Sequence, residues 1–184
     1  MQAARGASLN PSEPTEPVGP TPARGLRFQL VFWGVALLGV LVDQSSKVWA
    51  EETLSGRGTV KVAGDFFGWH LTHNPGAAFS MGTTFTEALS VIAICAVVVV
   101  LYFARRLGST GWALGLGFLL AGVAGNLIDR LTRDPGFLRG HVVDFMALPH
   151  WPIFNVADVC INVAAAIIVI QTIRGLRLDG TRHD

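Results

Sequence analysis

Two aspartates on either side of one short connection are the residues most able to do chemistry in this chain. Asp144 and Asp158 lie within the stretch 141–160, and the second lies just inside a long apolar run, residues 153–173. Hydrocarbon cannot replace the water that solvates a carboxylate, so an acid there is a functional candidate. Two carboxylates held close in such a place do not both ionise cheaply, and one tends to keep a proton. Such a pair can hydrolyse an amide, because the ionised acid takes a proton from the attacking water while the protonated acid donates to the departing nitrogen.

Long apolar runs predict that membrane-spanning helices position these aspartates. The chain has 184 residues, of which 51% are hydrophobic and 15% charged, and its mean hydropathy is +0.46. This composition is too apolar for most soluble domains. We predict an all-α membrane protein whose single domain covers residues 26–175, with four transmembrane helices at about 26–50, 86–104, 111–129 and 153–173. The net charge of +1 gives no reason to expect a nucleic-acid partner.

The segments outside the spans have different compositions. Residues 51–83 alternate apolar and polar side chains, turn at Gly64, and then carry aromatic residues, which predicts a small extracytoplasmic β-hairpin or cradle on the bilayer. Residues 1–25 are rich in proline and predict a disordered tail, because they bury too little apolar surface to offset the entropy of ordering. Residues 176–184 form a basic tail.

Basic residues at the ends of the spans predict the orientation. Among the segments that flank the spans, Lys and Arg are densest in the two tails and in the loop at 105–106. In a chain with four spans, these three segments lie on the same side of the membrane. The positive-inside rule then puts both termini in the cytoplasm. Asp43, Asp129, Asp144 and Asp158 should all lie near the outer face, with Asp158 five residues into its helix and about 7.5 Å deep.

Further polar residues lie where the first and third spans end. Asp43 and Lys47 are four residues apart with the acid first, the favourable order for a helical ion pair. That pair could be solvated at the membrane surface or could orient a site. Glycines along the third span are explained by helix packing, but Asn126, Asp129 and Arg130 at its end are not. We interpret Asp129 and Arg130 as a chiefly structural pair.

Five short motifs occur in order along residues 26–173: DQSSK at 43–47, HNPGAAFS at 73–80, GNLIDR at 125–130, VVDF at 142–145 and FNVAD at 154–158. Together they resemble the lipoprotein signal peptidases, or signal peptidase II. The resemblance implies an aspartic endopeptidase of the bacterial inner membrane that works without a metal. We also expect no cofactor, contact with membrane lipid, and a monomer. Its substrates would be diacylglyceryl-modified prolipoproteins, cut on the N-terminal side of the lipidated cysteine. Asp144 and Asp158 would form the catalytic dyad. The supporting or substrate-contacting positions would be Asp43, Lys47, Asn74, Gly76, Asn126, Asp129, Arg130 and Asn155.

Two other functions remain open from the residues. A zinc-dependent membrane hydrolase is suggested by His70, His73 and His141, although no H-E-x-x-H motif is present and histidines in exposed loops are commonplace. A proton-coupled carrier could use the acids as a relay, but the acids crowd one face, and the inner halves of the spans offer no chain of ionisable groups. The Pro-rich tail and the short connection between the two dyad motifs depart from the family pattern.

Overall fold

The computed structural model describes residues 22–76 and 84–182, which form four long helices with a small sheet at one end. All four helices are long and apolar enough to cross a membrane, so the predicted fold class is confirmed. Residues 1–21, which make up most of the predicted tail, and 77–80 of the second motif lie outside the described ranges. The elements are α1 (Pro22–Leu54), β1 (Val60–Ala63), β2 (Phe67–Asn74), α2 (Thr84–Ala104), α3 (Thr110–Thr132), β3 (Val142–Ala147) and α4 (Val156–Ile173).

The first helix is longer at both ends than the sequence predicts. It begins at Pro22, so residues 22–25 belong to the helix and not to the predicted tail. Proline suits a first helical position, where its missing N–H would have had no intrahelical partner. At the other end the helix continues to Leu54, and a buried cluster of Ala50, Leu54, Val143 and Phe145 joins this last turn to the sheet.

Helix α3 lies between α1 and α4, and two of its glycines allow the close approach that builds the site. A Cβ atom at Gly122 would lie 2.4 Å from the carbonyl oxygen of Ala157 on α4. A Cβ atom at Gly125 would lie 2.6 Å from Oδ2 of Asp43 on α1. Small residues at helix contacts have this role in membrane bundles. The polar ends of three helices therefore meet at one level.

The sheet is antiparallel with strand order β1-β2-β3, and its third strand was missed by the sequence analysis. The sequence predicts no strand at residues 142–147, but they pair with β2, with Asp144 opposite Thr72. Val142, Val143 and Phe145 are buried, which explains why this nearly continuous apolar run adds a strand to the predicted hairpin. The β1–β2 turn carries Phe66, whose side chain is 72% exposed.

The last helix starts three residues later than predicted. Phe154 is extended and pairs with Met146 of β3, and α4 begins at Val156 after Asn155. Asn155 caps the helix, because its side chain accepts the Asp158 N–H while the Asp158 carboxylate accepts the Asn155 N–H. Asp158 therefore lies two residues into its helix and not five, close to the helix start.

The opposite end of the bundle is closed by residues 174–182. Trp112 donates its indole N–H to the carbonyl of Leu176 at 2.9 Å, and the Gly108 N–H donates to the carbonyl of Leu178 at 2.8 Å. Leu178 also packs against the hydrophobic core between α1, α2 and α3. This part of the predicted basic tail is folded against the bundle.

Candidate active site

Asp144 and Asp158 come together through one asparagine, Asn155. Its Nδ2 donates to Oδ1 of Asp144 at 2.6 Å, and its main-chain N–H donates to Oδ2 of Asp158 at 3.1 Å. The strand β3 brings Asp144 to this point, and the cap of α4 brings Asp158. Asn155 is itself fully buried, so its position is fixed by packing as well as by hydrogen bonds. We call Asp144 and Asp158 the dyad.

The Asp144 carboxyl group lies in a poorly solvated place that keeps its proton affinity high. It is only 2% exposed, and burial raises its pKa from 3.8 to about 6. Hydrogen bonds from Asn74 and Asn155 lower this pKa and the nearby charge of Asp158 raises it, but burial is the largest effect. Within residues 22–76 and 84–182, no Lys or Arg nitrogen lies within ion-pair distance of either dyad carboxylate.

Asn74 reaches Asp144 from β2, and Gly76 fixes how it does so. The Asn74 Nδ2 donates to Oδ2 of Asp144 at 2.9 Å, while the Gly76 N–H donates to Oδ1 of Asn74 at 2.8 Å. Gly76 has a φ of +106°, a backbone conformation that favours glycine because other residues carry a Cβ atom. The turn predicted at this motif therefore orients an amide donor toward the dyad.

A second group of charges lies beside the dyad, and three of its four side chains are completely buried. Lys47 Nζ is 2.9 Å from Oδ2 of Asp43 and 2.8 Å from Oδ2 of Asp129, and all three side chains are 0% exposed. Asp43 also accepts the Ala157 N–H at 2.8 Å, and Asp129 accepts from Nε of Arg133 at 2.8 Å. We call Asp43, Lys47, Asp129 and Arg133 the charge cluster. Asp43 and Lys47 are therefore not a solvated pair at the membrane surface, which was one of the two alternatives for them.

The expected pairing of Asp129 with Arg130 was wrong. Asp129 forms its ion pairs with Lys47 and with Arg133, which follows it by one helical turn. Adjacent residues on a helix point in different directions, whereas residues four apart lie on one face, and this spacing was the available signal for Arg133. Arg130 interacts electrostatically with Asp144, Asp129 and Asp158, and its Nη1 has no hydrogen-bond partner in the described part of the chain.

Asn126 connects the charge cluster to the dyad. Its Oδ1 accepts from Lys47 Nζ at 3.0 Å and from Asn155 Nδ2 at 3.0 Å, and its Nδ2 donates to Oδ1 of Asp158 at 2.9 Å. An ammonium group has only donors, so Lys47 requires the oxygen of Asn126 and thereby turns the amide nitrogen toward Asp158. Gln44, which the sequence analysis did not single out, adds bonds to Asp43 and to the carbonyl of Gly125 at 3.1 Å each.

Two cavities open on either side of Asp144. One of about 450 Å³ runs along α4 and is lined by both dyad acids, by Trp151 and by Val159 and Asn162. The other, of about 340 Å³, lies against β2 and is lined by Thr72, His73 and Asn74. Asp144 therefore lines both cavities, whereas Asp158 lines the one along α4.

Of the three histidines considered for zinc, His73 lines one of these two cavities and His70 and His141 line neither. His70 contacts Thr59 on the hairpin, and His73 lies 3.4 Å from Glu51. Over residues 22–76 and 84–182, no group of three or more His, Cys, Asp or Glu side chains is arranged to hold a metal ion.

Comparison with known proteins agrees with the five motifs. A model of the family "Signal peptidase (SPase) II" matches residues 35–174. Proteins named lipoprotein signal peptidase include one from Mycobacterium tuberculosis strain H37Rv, 46% identical over 91% of this chain and 83% of its own length. Another, from Mycobacterium avium strain 104, is 44% identical over 92% of both chains, and one from Rhodococcus jostii strain RHA1 is 40% identical over 94% and 87%.

Solved structures share the fold. Two described as bacterial membrane enzymes superpose with TM-scores of 0.68 and 0.65, at 24% and 25% identity. The first match covers 84% of this chain and 95% of that one, and the second covers 83% and 89%. From the family match over most of its length and from these relatives, the chain belongs to the signal peptidase II family.

Proposed function

We propose that this chain is an aspartic endopeptidase in which the dyad shares one proton and cleaves the signal peptide from a prolipoprotein. As a member of the signal peptidase II family, it is a multi-pass membrane peptidase that removes signal peptides from lipoproteins. The aspartic mechanism is supported chiefly by the hydrogen bonds of Asn155 to both carboxylates. Both carboxylates also line one cavity. The family match gives no support to the carrier or the zinc hydrolase.

In this mechanism Asp144 begins protonated and Asp158 begins ionised. Burial raises the pKa of Asp144 to about 6, and a substrate that displaces water from the cavity would raise it further. Asp158 lies in the first turn of α4, where the helix dipole and two N–H donors stabilise negative charge. The better-solvated acid, Asp158, is therefore the base.

The reaction then follows from these two states. Asp158 accepts a proton from a water molecule while the oxygen of that water attacks the scissile carbonyl carbon. Asp144 donates its proton to the amide nitrogen. The C–N bond breaks, the signal peptide leaves with a new carboxyl group, and the mature chain leaves with a free amine. Asp158 is left protonated and Asp144 ionised. Return of one proton from Asp158 to Asp144 restores the starting state.

The remaining site residues support this pair. Asn74, held by Gly76, orients Asp144, and Asn126 and Asn155 orient Asp158. Asp43, Lys47 and Asp129 fix Asn126 and join α1, α3 and α4. Arg130 supplies positive charge near both dyad acids, which offsets the negative charge that develops on the attacked carbonyl oxygen.

The substrate we propose is a diacylglyceryl-modified precursor, cut on the N-terminal side of its lipidated cysteine. Such a substrate keeps its acyl chains in the bilayer, so it must enter from the side of the bundle. The cavity beside α4 suits this entry because Val159, 41% exposed, forms part of its wall. The protein would act as a monomer, since one chain supplies both acids.

The orientation we propose has both termini in the cytoplasm of a bacterial cell and the dyad near the outer face of the inner membrane. The sheet and all four aspartates of the two groups lie at one end of the bundle, and Arg105, Arg106 and Arg174 lie at the other. A single cysteine at Asp65, in a variant lacking Cys95 and Cys160, should react with a membrane-impermeant reagent added outside the inner membrane. Labelling from the cytoplasmic side alone would overturn this orientation.

The direct test of function uses purified protein and two forms of one precursor, with and without the diacylglyceryl group. We expect release of the signal peptide from the modified form, with a new N-terminus at the lipidated cysteine, and little release from the unmodified form. Folded Asp144→Asn protein is the matched control for contaminating peptidases. Equal cleavage by that variant would contradict the proposed function.

A further inference from the structure

Asn162 is an exposed polar side chain on an apolar membrane helix, one turn beyond Asp158. It lies on α4 beside Val159 and Val163, which are 41% and 36% exposed. A carboxamide that faces hydrocarbon is costly unless it has partners. Asn162, however, lines the cavity of about 450 Å³ that contains both dyad acids. Its polar group therefore faces the space that a substrate would fill.

The hydrogen bonding of Asn162 leaves one acceptor available. Its Nδ2 donates to the main-chain carbonyl of Asp158 at 2.9 Å, which fixes the orientation of the amide. In the described part of the chain, no donor is in hydrogen-bonding contact with the Oδ1 of Asn162. An amide oxygen can accept two hydrogen bonds. The side chain thus presents an oriented acceptor to the cavity.

A peptide bound in this cavity would need such an acceptor. A scissile bond must lie in extended chain to reach both carboxylates, and extended chain has main-chain N–H groups without intrahelical partners. The lipid around the cavity offers no hydrogen-bond acceptor to these N–H groups. Most of the cavity wall is apolar, and the Oδ1 of Asn74 already accepts from Gly76. The dyad oxygens take part in the reaction, so Asn162 is a side-chain acceptor in this wall that stays available to a bound peptide.

We propose that Asn162 is a substrate-binding residue whose Oδ1 accepts a hydrogen bond from a main-chain N–H of the signal peptide, within a few residues of the scissile bond. The signal-peptide side is favoured because Asn162 lies farther along α4 than Asp158, toward the bundle end opposite the sheet, and a signal peptide continues into the bilayer in that direction. This proposal rests on the proposed function.

The first test separates binding from chemistry. A neutral hydrogen bond contributes about 0.5–1.5 kcal/mol, which corresponds to a change of about 2- to 12-fold. Asn162→Leu should raise KM by that factor while kcat and the thermal unfolding temperature stay near the wild-type values. Thr172→Val is the matched control, since Thr172 is also exposed on α4 and bonds the carbonyl four residues earlier, at 2.9 Å, but lies away from the cavity. If Asn162→Leu folds poorly, Asn162→Ala takes its place.

The second test identifies the bond itself. Modified precursors in which one amide upstream of the cleavage site is replaced by an ester each lack one N–H donor. Wild-type enzyme should lose about 2- to 12-fold in kcat/KM for one of these substrates. The Asn162→Leu variant should show no loss for that same substrate, because the partner is already absent.

Equal losses in both enzymes at every position, or an unchanged KM in Asn162→Leu, would overturn the role of Asn162. Wild-type cleavage of the unsubstituted precursor would still stand in that case, so the proposed function would survive. Cleavage by folded Asp144→Asn protein would instead overturn the proposed function.

Discussion

The dyad and the charge cluster are both built around two aspartates, but their partners differ in kind. Asp43 and Asp129 share one ammonium group, and Arg133 adds a second cation. Asp144 and Asp158 are held by amide donors from Asn74, Asn126 and Asn155. A cation favours one charge state strongly, whereas a neutral amide orients a carboxylate without cancelling its charge. The charge cluster is therefore held together by ion pairs, and the dyad keeps the ability to exchange a proton.

Access to solvent separates the two groups as well. The side chains of Asp43, Lys47 and Asp129 are 0% exposed, while Asp158 is half-buried and faces a cavity. Hydrolysis needs a water molecule beside the base, and an ion pair that holds helices together is stronger without water. The same residue type thus supports the fold in one place and supplies chemistry a few ångströms away.

The largest effect is expected from the dyad. Asp144→Asn and Asp158→Asn keep the side-chain shape but remove a proton-transfer partner, so each should lower kcat/KM by about 10²- to 10⁴-fold. The double variant should be hardly worse than either single one, because partners that act as a unit lose their effects non-additively. Cleavage rates at matched amounts of folded protein check this. Substantial cleavage by one single variant would assign the chemistry elsewhere.

The next effect concerns stability. Lys47→Met leaves two buried carboxylates without their shared cation, and breaking a buried ion pair by removing one partner costs about 3–5 kcal/mol. We expect a much lower unfolding temperature in detergent, and lower folded yield for Asp129→Asn as well as lower activity. Lys61→Met is the matched control, since its pair with Asp65 is largely exposed and should contribute below about 1 kcal/mol. Equal stability of the two Lys variants would contradict the structural role of the cluster.

The third effect is a pH dependence of stability that belongs to Asp144. Its pKa is 3.8 in the unfolded chain and about 6 in the folded protein, so the folded state binds more protons between these values. The resulting contribution is fully present below pH 3.8 and is lost as pH rises through 6, and amounts to about 3 kcal/mol at most. Between pH 4.5 and 7.5 the wild-type unfolding temperature should therefore fall more than that of Asp144→Asn. Identical pH profiles would show that the Asp144 pKa is not raised.

The smallest effect is expected from chelation. In the proposed mechanism no metal polarises the carbonyl, so a strong chelator should leave the cleavage rate of wild-type protein unchanged. Loss of activity that added zinc restores would instead favour a histidine site around His73 or His141.

The sequence alone predicts those features of the site that depend on residues close together in the chain. The four-residue spacing of Asp43 and Lys47 predicts their contact, because helix geometry determines it. The apolar runs predict the spans for the same kind of reason. The third strand could not be predicted this way, since Val142, Val143 and Phe145 gain their pairing from β2, far away in the chain.

The roles of the asparagines were also beyond local patterns. Asn155 falls inside the last helix predicted from the apolar run 153–173, but it caps that helix instead. Asn126 was recognised as a polar exception on α3, yet its link between Lys47 and Asp158 depends on three helices meeting. The sequence thus predicts which residues are unusual, and tertiary packing decides what each one contacts.

The most direct test of the contrast between the two aspartate pairs is to follow the protonated carboxyl group by infrared spectroscopy, with ¹³C-labelled aspartate to separate its C=O band from lipid esters. Wild-type protein should keep one such band above the pH at which exposed carboxyl groups ionise, and this band should disappear with a midpoint near pH 6. The band should be absent from Asp144→Asn and present in the folded fraction of Asp129→Asn. A band that persists in Asp144→Asn but is lost in Asp129→Asn would place the proton in the charge cluster and contradict this account.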